Sequence, residues 1–199
     1  MSTLPLVPLG LASWERSVQA AVEVWKRLLR STASLDAAKI PYAVVGGNAV
    51  AVWVGRVDKS ATRFTQDVEL LINRSDLQAA KAALSGAGFV YRETLDLHMF
   101  LDGPSAHPRD AVHVLFSLEK VRGDDAAPSP AVTESERGDH FQVVSLPALA
   151  RMKLTSFRLK DQVHLQDMIS IGLIDESWLK RFPPELSARL KQILDTPNG

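Results

Sequence analysis

Residues Ile40 to Asn73, IPYAVVGGNAVAVWVGRVDKSATRFTQDVELLIN, decide how the chain reads. The apolar and aromatic run Tyr42-Ala43-Val44-Val45 has the composition of a short buried strand, and it ends on Gly46-Gly47. A helix-compatible segment, Asn48 to Trp53, follows at once. A strand passing through paired glycines into a helix suits anion binding, because glycine allows close backbone approach and the first N–H groups of a helix carry its positive dipole end. Further on, Thr65-Gln66-Asp67-Val68-Glu69-Leu70-Leu71-Ile72 reads as a second strand. Side chains alternate along a strand, so Asp67 and Glu69 project to the same side.

Two carboxylates together on an apolar strand are costly unless a cation shares the site, and Mg²⁺ held by carboxylates and substrate phosphates is the economical explanation. Paired glycines followed about twenty residues later by acid-x-acid on a strand resemble the nucleotidyltransferase superfamily, the fold of DNA polymerase beta and of many small bacterial transferases. The resemblance assigns the phosphate cradle to Gly46 and Gly47 and the first two metal carboxylates to Asp67 and Glu69. In the family the second acid is usually Asp, so Glu69 lengthens that arm by one methylene. The residue after the glycines is usually Ser; here Asn48 stands there and could donate to a phosphate from its amide. Arg63-Phe64-Thr65-Gln66-Asp67 matches the family's Arg-x-Thr-x-Asp, with Arg63 expected to pair with Asp67 or reach a phosphate. A third acid is expected from a neighbouring strand, but Asp110-Ala111-Val112-His113-Val114 carries His113 where Asp is common. Three arrangements follow: His113 is a ligand, Asp110 swings in, or the site holds a single metal ion.

Composition narrows the classes. The chain has 199 residues, room for one sizeable domain or one with a small helical appendage. Its 23 basic and 23 acidic residues cancel, so nucleic-acid binding would need a local patch. There are no cysteines, which excludes disulfides, thiolate zinc sites and cysteine nucleophiles. No apolar run reaches the roughly 20 residues of a membrane span, and the N-terminus lacks a signal-peptide pattern, so no membrane partner and a cytoplasmic address are expected.

Taken in order, Pro5, Pro8 and Gly10 predict an irregular lead-in. Apolar residues from Trp14 to Leu29 recur at helical spacing, predicting a helix over 13–30, and Ser34 is placed to cap a second helix through Lys39. A helix over 77–87 and strands at 89–91, 98–101 and 111–116 follow. The order β-α-β-α-β-β-β suggests an α+β mixed sheet with helices packed on one side. The Pro-, Ser- and acid-rich stretch after Gly123 reads as a linker or long surface loop, and a short strand at 141–144 precedes helices at about 146–160, 161–172, 175–181 and 183–194. The division expected is an N-terminal helix (1–35), a nucleotidyltransferase core (36–122), the linker (123–140) and a C-terminal helical region (141–199).

In ARMKLTSFRLKDQVHLQDMISIGLID, residues 150–175, a continuous helix would bring Lys153, Ser156, Lys160 and Asp167 to one face. Long cationic arms facing the acidic strand would suit a triphosphate, whereas the plain alternative is a solvated helix face. The block resembles the Lys-rich helix and Lys-Asp turn of the AbiEii-like nucleotidyltransferases, a group that includes toxins of toxin–antitoxin pairs. The likeness covers most of the chain, from about Pro41 to Asp175. It implies Mg²⁺- or Mn²⁺-dependent transfer of a nucleoside monophosphate from a nucleoside triphosphate to a hydroxyl on RNA, protein or a small molecule, with a toxin-like role and a cognate antitoxin as partner. A pocket between the two regions, rather than an open basic groove, would mark a small-molecule acceptor. The rival reading, motivated by Glu69 and His113, is a nucleotide- or partner-binding module of the same fold without turnover.

Overall fold

A computed structural model describes residues 11–95 and 97–196; the lead-in expected over the first dozen residues lies almost wholly outside them. The chain opens with one helix, α1 (Leu11–Ala37), in place of the two expected. Ser34 caps no new helix. Just before it, the hydroxyls of Ser31 and Thr32 donate back to the Leu28 carbonyl, at 3.0 and 2.9 Å, so these polar residues are satisfied inside the continuing helix. Strand β1 (Tyr42–Val45) leads directly into α2 (Gly46–Gly55). Then come β2 (Val68–Ile72), α3 (Leu77–Gly86), the hairpin β3 (Val90–Thr94) and β4 (Leu97–Leu101), and β5 (Ala111–Phe116). Strand β2 is shorter than expected, and Asp67 sits at the entrance to it.

The segment read as a linker contains β6 (Ser135–Arg137), which pairs antiparallel with β7 (Gln142–Val144). Among the described residues these seven strands form one sheet in the order β3-β4-β5-β2-β1-β7-β6. The β2–β5 and β1–β7 pairings are parallel and the others antiparallel. Leu70 and Leu71, neighbours on β2 that face opposite ways, are both fully buried, so both faces of the sheet are covered. This corrects the expectation of helices on one side. On one face Tyr42 donates to Asp36 of α1 and the Tyr91 ring lies under Lys81 of α3. The other face, carrying Glu69, His113 and Leu115, looks toward the C-terminal helices.

Those helices are α4 (Leu146–Ser156), α5 (Leu159–Ser170) and α6 (Pro184–Asp195); the expected helix at 175–181 is a 3-10 turn, Glu176–Arg181. The continuous helix through 150–167 is not formed. Phe157 takes a left-handed conformation (φ 44°) and its N–H closes α4 on the Lys153 carbonyl. The chain restarts as α5, where Asp161 accepts from the Arg158 N–H. Among the described residues no helix is long and apolar enough to cross a membrane.

Candidate active site

The turn from β1 into α2 is shaped by what packs against it. Gly46 sits at φ +67°, and a Cβ there would lie 1.6 Å from Glu69 Oε2. At Gly47 a Cβ would lie 2.8 Å from both Cβ and Oγ1 of Thr65. The two glycines therefore let Glu69 and Thr65 close onto the backbone of the turn, a demand separate from any phosphate. No side chain caps α2, whose N-cap is Val45, so its first N–H groups are left for another acceptor. Asn48 is not turned toward a phosphate: it is buried, and its amide donates to the Asp67 carbonyl at 2.8 Å.

That bond fixes the backbone of Asp67, while the Thr65 hydroxyl donates to Asp67 Oδ1 at 2.8 Å and fixes its carboxylate. Glu69 stands in register between Val45 of β1 and His113 of β5, so the imidazole is the direct cross-strand neighbour of the carboxylate on the same face. Asp110 falls in the 3-10 turn Pro108–Asp110 before β5 and lines neither part of the cleft. Arg63 reaches neither Asp67 nor the cleft. Its guanidinium donates twice to Asp167 of α5, at 2.7 and 3.1 Å, tying the segment before β2 to the C-terminal helices.

The opposite wall comes from α4 and α5. Lys153 is not a solvated arm; it is 5% exposed and donates to Asp161 Oδ1 at 3.0 Å. Asp161, fully buried, also accepts from the Ser156 hydroxyl at 2.6 Å and from Arg158 Nε at 2.8 Å. Burial opposes its charge, but the charge of Lys153 and the hydrogen bonds from Arg158, Ser156 and Lys153 hold this carboxyl well below the usual range. Burial likewise opposes the Arg158 charge, yet Asp161, with smaller contributions from Glu69 and Asp125, drives its pKa up. Lys160 is exposed at the start of α5. One turn on, burial and then the Lys153 charge push His164 down to about 4, and its buried Nδ1 has no hydrogen-bond partner.

These elements enclose a two-lobed cleft; the lobes admit similar volumes, about 440 Å³ each, but the one that runs along β5 and residues 119–129 has the longer wall and is the larger in extent. Asp67, Glu69, His113, Lys153 and Lys160 border both lobes and form the waist between them. Among the described residues, no group of three or more His, Cys, Asp or Glu side chains is gathered closely enough to cage a metal ion. Two carboxylates facing one cleft do fit Mg²⁺, which keeps several waters and is commonly held by one or two carboxylates together with substrate phosphates. Of the expected residues, then, Gly46, Gly47, Thr65, Asp67, Glu69, His113, Lys153 and Lys160 converge on the cleft, whereas Arg63 and Asp110 stay out of it. Arg158 and His164 were not singled out from sequence, and Asp161 entered only as the Asp of the Lys-Asp turn; for His164 the signal was its helical spacing, four residues after Lys160.

Two measurements bear on this geometry. Gly46→Ala is expected to cost about 1–2 kcal/mol of stability through the left-handed backbone, and to lower turnover at least about tenfold by displacing the Glu69 carboxylate; denaturant melts and rate assays check the two parts. The second concerns pH. A histidine whose pKa is depressed on folding binds fewer protons in the native state, so its contribution is intact above about 6.5 and is lost as pH falls toward about 4. The loss should be on the order of 2 kcal/mol, and His164→Gln should flatten the pH 4–6.5 limb of the stability curve. The groups acting on His164 are Lys153, Asp161, Asp167 and Lys160.

No protein-family model matches the sequence, and no curated protein matches it. Solved structures do resemble it. JHP933 from Helicobacter pylori, 13% identical, aligns over 89% of this chain and 75% of its own with a TM-score of 0.52. ANT(2″)-Ia in complex with adenylyl-2″-tobramycin, 14% identical, aligns over 89% of this chain and 98% of its own with a TM-score of 0.50. An antigenic nucleotidyltransferase-like protein from Paracoccidioides brasiliensis, 16% identical, aligns over 87% and 86% with a TM-score of 0.47. The chain has the nucleotidyltransferase fold.

Proposed function

We propose that this chain moves a nucleoside monophosphate from a nucleoside triphosphate to a hydroxyl of a small acceptor molecule. The observation that supports it is the meeting of two lobes at one charged waist, where Asp67 and Glu69 face Lys153 and Lys160 over the open N-terminus of α2. Triphosphate oxygens are held at the waist by the two lysines and the helix N–H groups. The larger lobe, walled by Leu97, Val121, Pro128 and Met152 with Glu119 and Asp125 at its border, takes the acceptor. It is a cavity between the sheet and the C-terminal helices, the feature expected for a small molecule, and the zero net charge gives a large RNA acceptor no electrostatic advantage. The adenylyl-2″-tobramycin in the ANT(2″)-Ia complex is an adenylylated small molecule of this general kind.

In the reaction the acceptor oxygen forms a bond to the α-phosphorus, the bond from that phosphorus to the bridging oxygen breaks, and pyrophosphate leaves with the electron pair. The hydroxyl proton passes to His113, an imidazole beside Glu69 with a ring nitrogen that can accept it. Asp67 and Glu69 are the residues that would hold Mg²⁺, or Mn²⁺, which neutralises charge on the transferred phosphate and the leaving group. Thr65 and Asn48 keep Asp67 in place.

One observation favours a second reading, a binding module without turnover: among the described residues two acids, rather than three, face the waist. Calorimetric titration with a nucleoside triphosphate and Mg²⁺, followed by assay of the same sample for pyrophosphate, separates the two. Binding with pyrophosphate release supports the enzyme, binding without release in the presence of cell extract supports the module, and absence of binding contradicts both.

A further inference from the structure

The smaller lobe has a composition unlike the rest of the cleft. Apart from the waist it is lined by Gly47, Phe64, Thr65, Gln66 and His164, none of which carries a charge once His164 is held neutral by its surroundings. The larger lobe is bordered by Glu119, Arg122, Asp125 and Arg158. Phe64 is the outstanding member. It is 83% exposed, belongs to neither hydrophobic cluster, and stands in the segment that Arg63 clamps to α5 through Asp167. An aromatic ring left in the open at the wall of a neutral cavity has a flat apolar face and nothing to cover it. Across the lobe, His164 keeps one ring nitrogen buried without a partner. A lone pair there costs less than an unsatisfied N–H, so the proton belongs on Nε2, which makes the ring a donor. The exposed Gln66 adds an amide that can both donate and accept.

We propose that the smaller lobe binds the nucleobase of the nucleoside triphosphate, stacked on Phe64 with its edge read by Gln66 and His164. A planar, uncharged heteroaromatic ring with donors and acceptors on its rim is the ligand these three side chains complement. The placement puts the base in the neutral lobe and the phosphates at the charged waist, and it leaves the charged, apolar-walled lobe to the acceptor. It rests on the nucleotidyltransferase reading and specifies the donor half of the site.

The test is calorimetry on the full chain with Mg²⁺, using inorganic tripolyphosphate and the four α,β-methylene nucleoside triphosphates as probes. Phe64→Ala should weaken the nucleotide analogues about ten- to hundredfold, the range expected for loss of one base–aromatic stack, and leave tripolyphosphate within roughly twofold. Phe64→Trp should restore nucleotide affinity. Gln66→Ala and His164→Ala should change the ranking of the four bases. Phe64 is exposed, so its replacement tests binding rather than folding. Unchanged nucleotide affinity in Phe64→Ala, or an equal loss for tripolyphosphate, overturns the assignment. If the wild type binds tripolyphosphate as tightly as every analogue, the base site is wrong while the phosphate site stands. If it binds none of the probes, the transferase reading falls and the base site with it.

Discussion

Asp67→Ala is expected to lower nucleotidyl transfer on the order of a thousandfold while changing stability by less than about 1 kcal/mol. The large effect follows from position. Asp67 borders both lobes, its carboxylate is held by Thr65 and its backbone by Asn48, and among the described residues it is one of two acids facing the waist. Loss of a carboxylate that would hold the charge-neutralising Mg²⁺ removes several kcal/mol of transition-state stabilisation. The small effect on folding follows from what the substitution leaves behind: Asn48 bonds the backbone carbonyl, which alanine retains, and the freed Thr65 hydroxyl is not deeply buried. Steady-state rates and a denaturant melt on the same preparation check both halves. A variant that keeps more than about a tenth of the activity would remove Asp67 from the chemistry.

Asp161→Ala should destabilise the fold by about 3–5 kcal/mol, the largest stability change expected of any single substitution in the cleft wall. The carboxylate is fully buried and receives Lys153, Ser156 and Arg158 together. Removing it strands a buried ammonium and unties the start of α5 from the end of α4. The pair Lys153→Met with Asp161→Leu should recover most of the stability, because apolar residues of similar size can replace a buried ion pair at little cost. Turnover should not return with it, since the waist then lacks its buried cation. Thermal or urea melts of the single and double variants, read beside their rates, separate holding the fold from holding phosphate; full activity in the stable double variant would confine Lys153 and Asp161 to structure.

The elements that proved legible in the sequence are those specified by neighbours along the chain. The apolar run ending on Gly46-Gly47, the acids at Asp67 and Glu69 and the β-branched strand around His113 all carry their pattern within a few residues, and the sheet aligns them as the spacing implied. What escaped was set at long range or by competing local bonds. Arg63 finds its partner 104 residues away on α5, and no local signal distinguishes Asp167 from any other helix carboxylate. Lys153 was expected as a cationic arm on a continuous helix facing the acidic strand; the left-handed turn at Phe157 ends that helix and folds Asp161 back onto it. Asn48 was expected to donate to a phosphate, and only the fold shows the Asp67 carbonyl within reach of its amide. The glycines were read as a tight turn and a phosphate cradle, whereas Gly46 and Gly47 are also required by Glu69 and Thr65.

At the waist, on the proposed function, a nucleoside triphosphate meets a small acceptor. The most direct measurement incubates the protein with each α-labelled nucleoside triphosphate, Mg²⁺ or Mn²⁺ and fractionated cell extract, and follows label into small molecules, RNA and protein. Label is expected in the small-molecule fraction with one pyrophosphate released per label transferred, and none of either with Asp67→Ala. Label confined to RNA or protein, or equal transfer by Asp67→Ala, would contradict it.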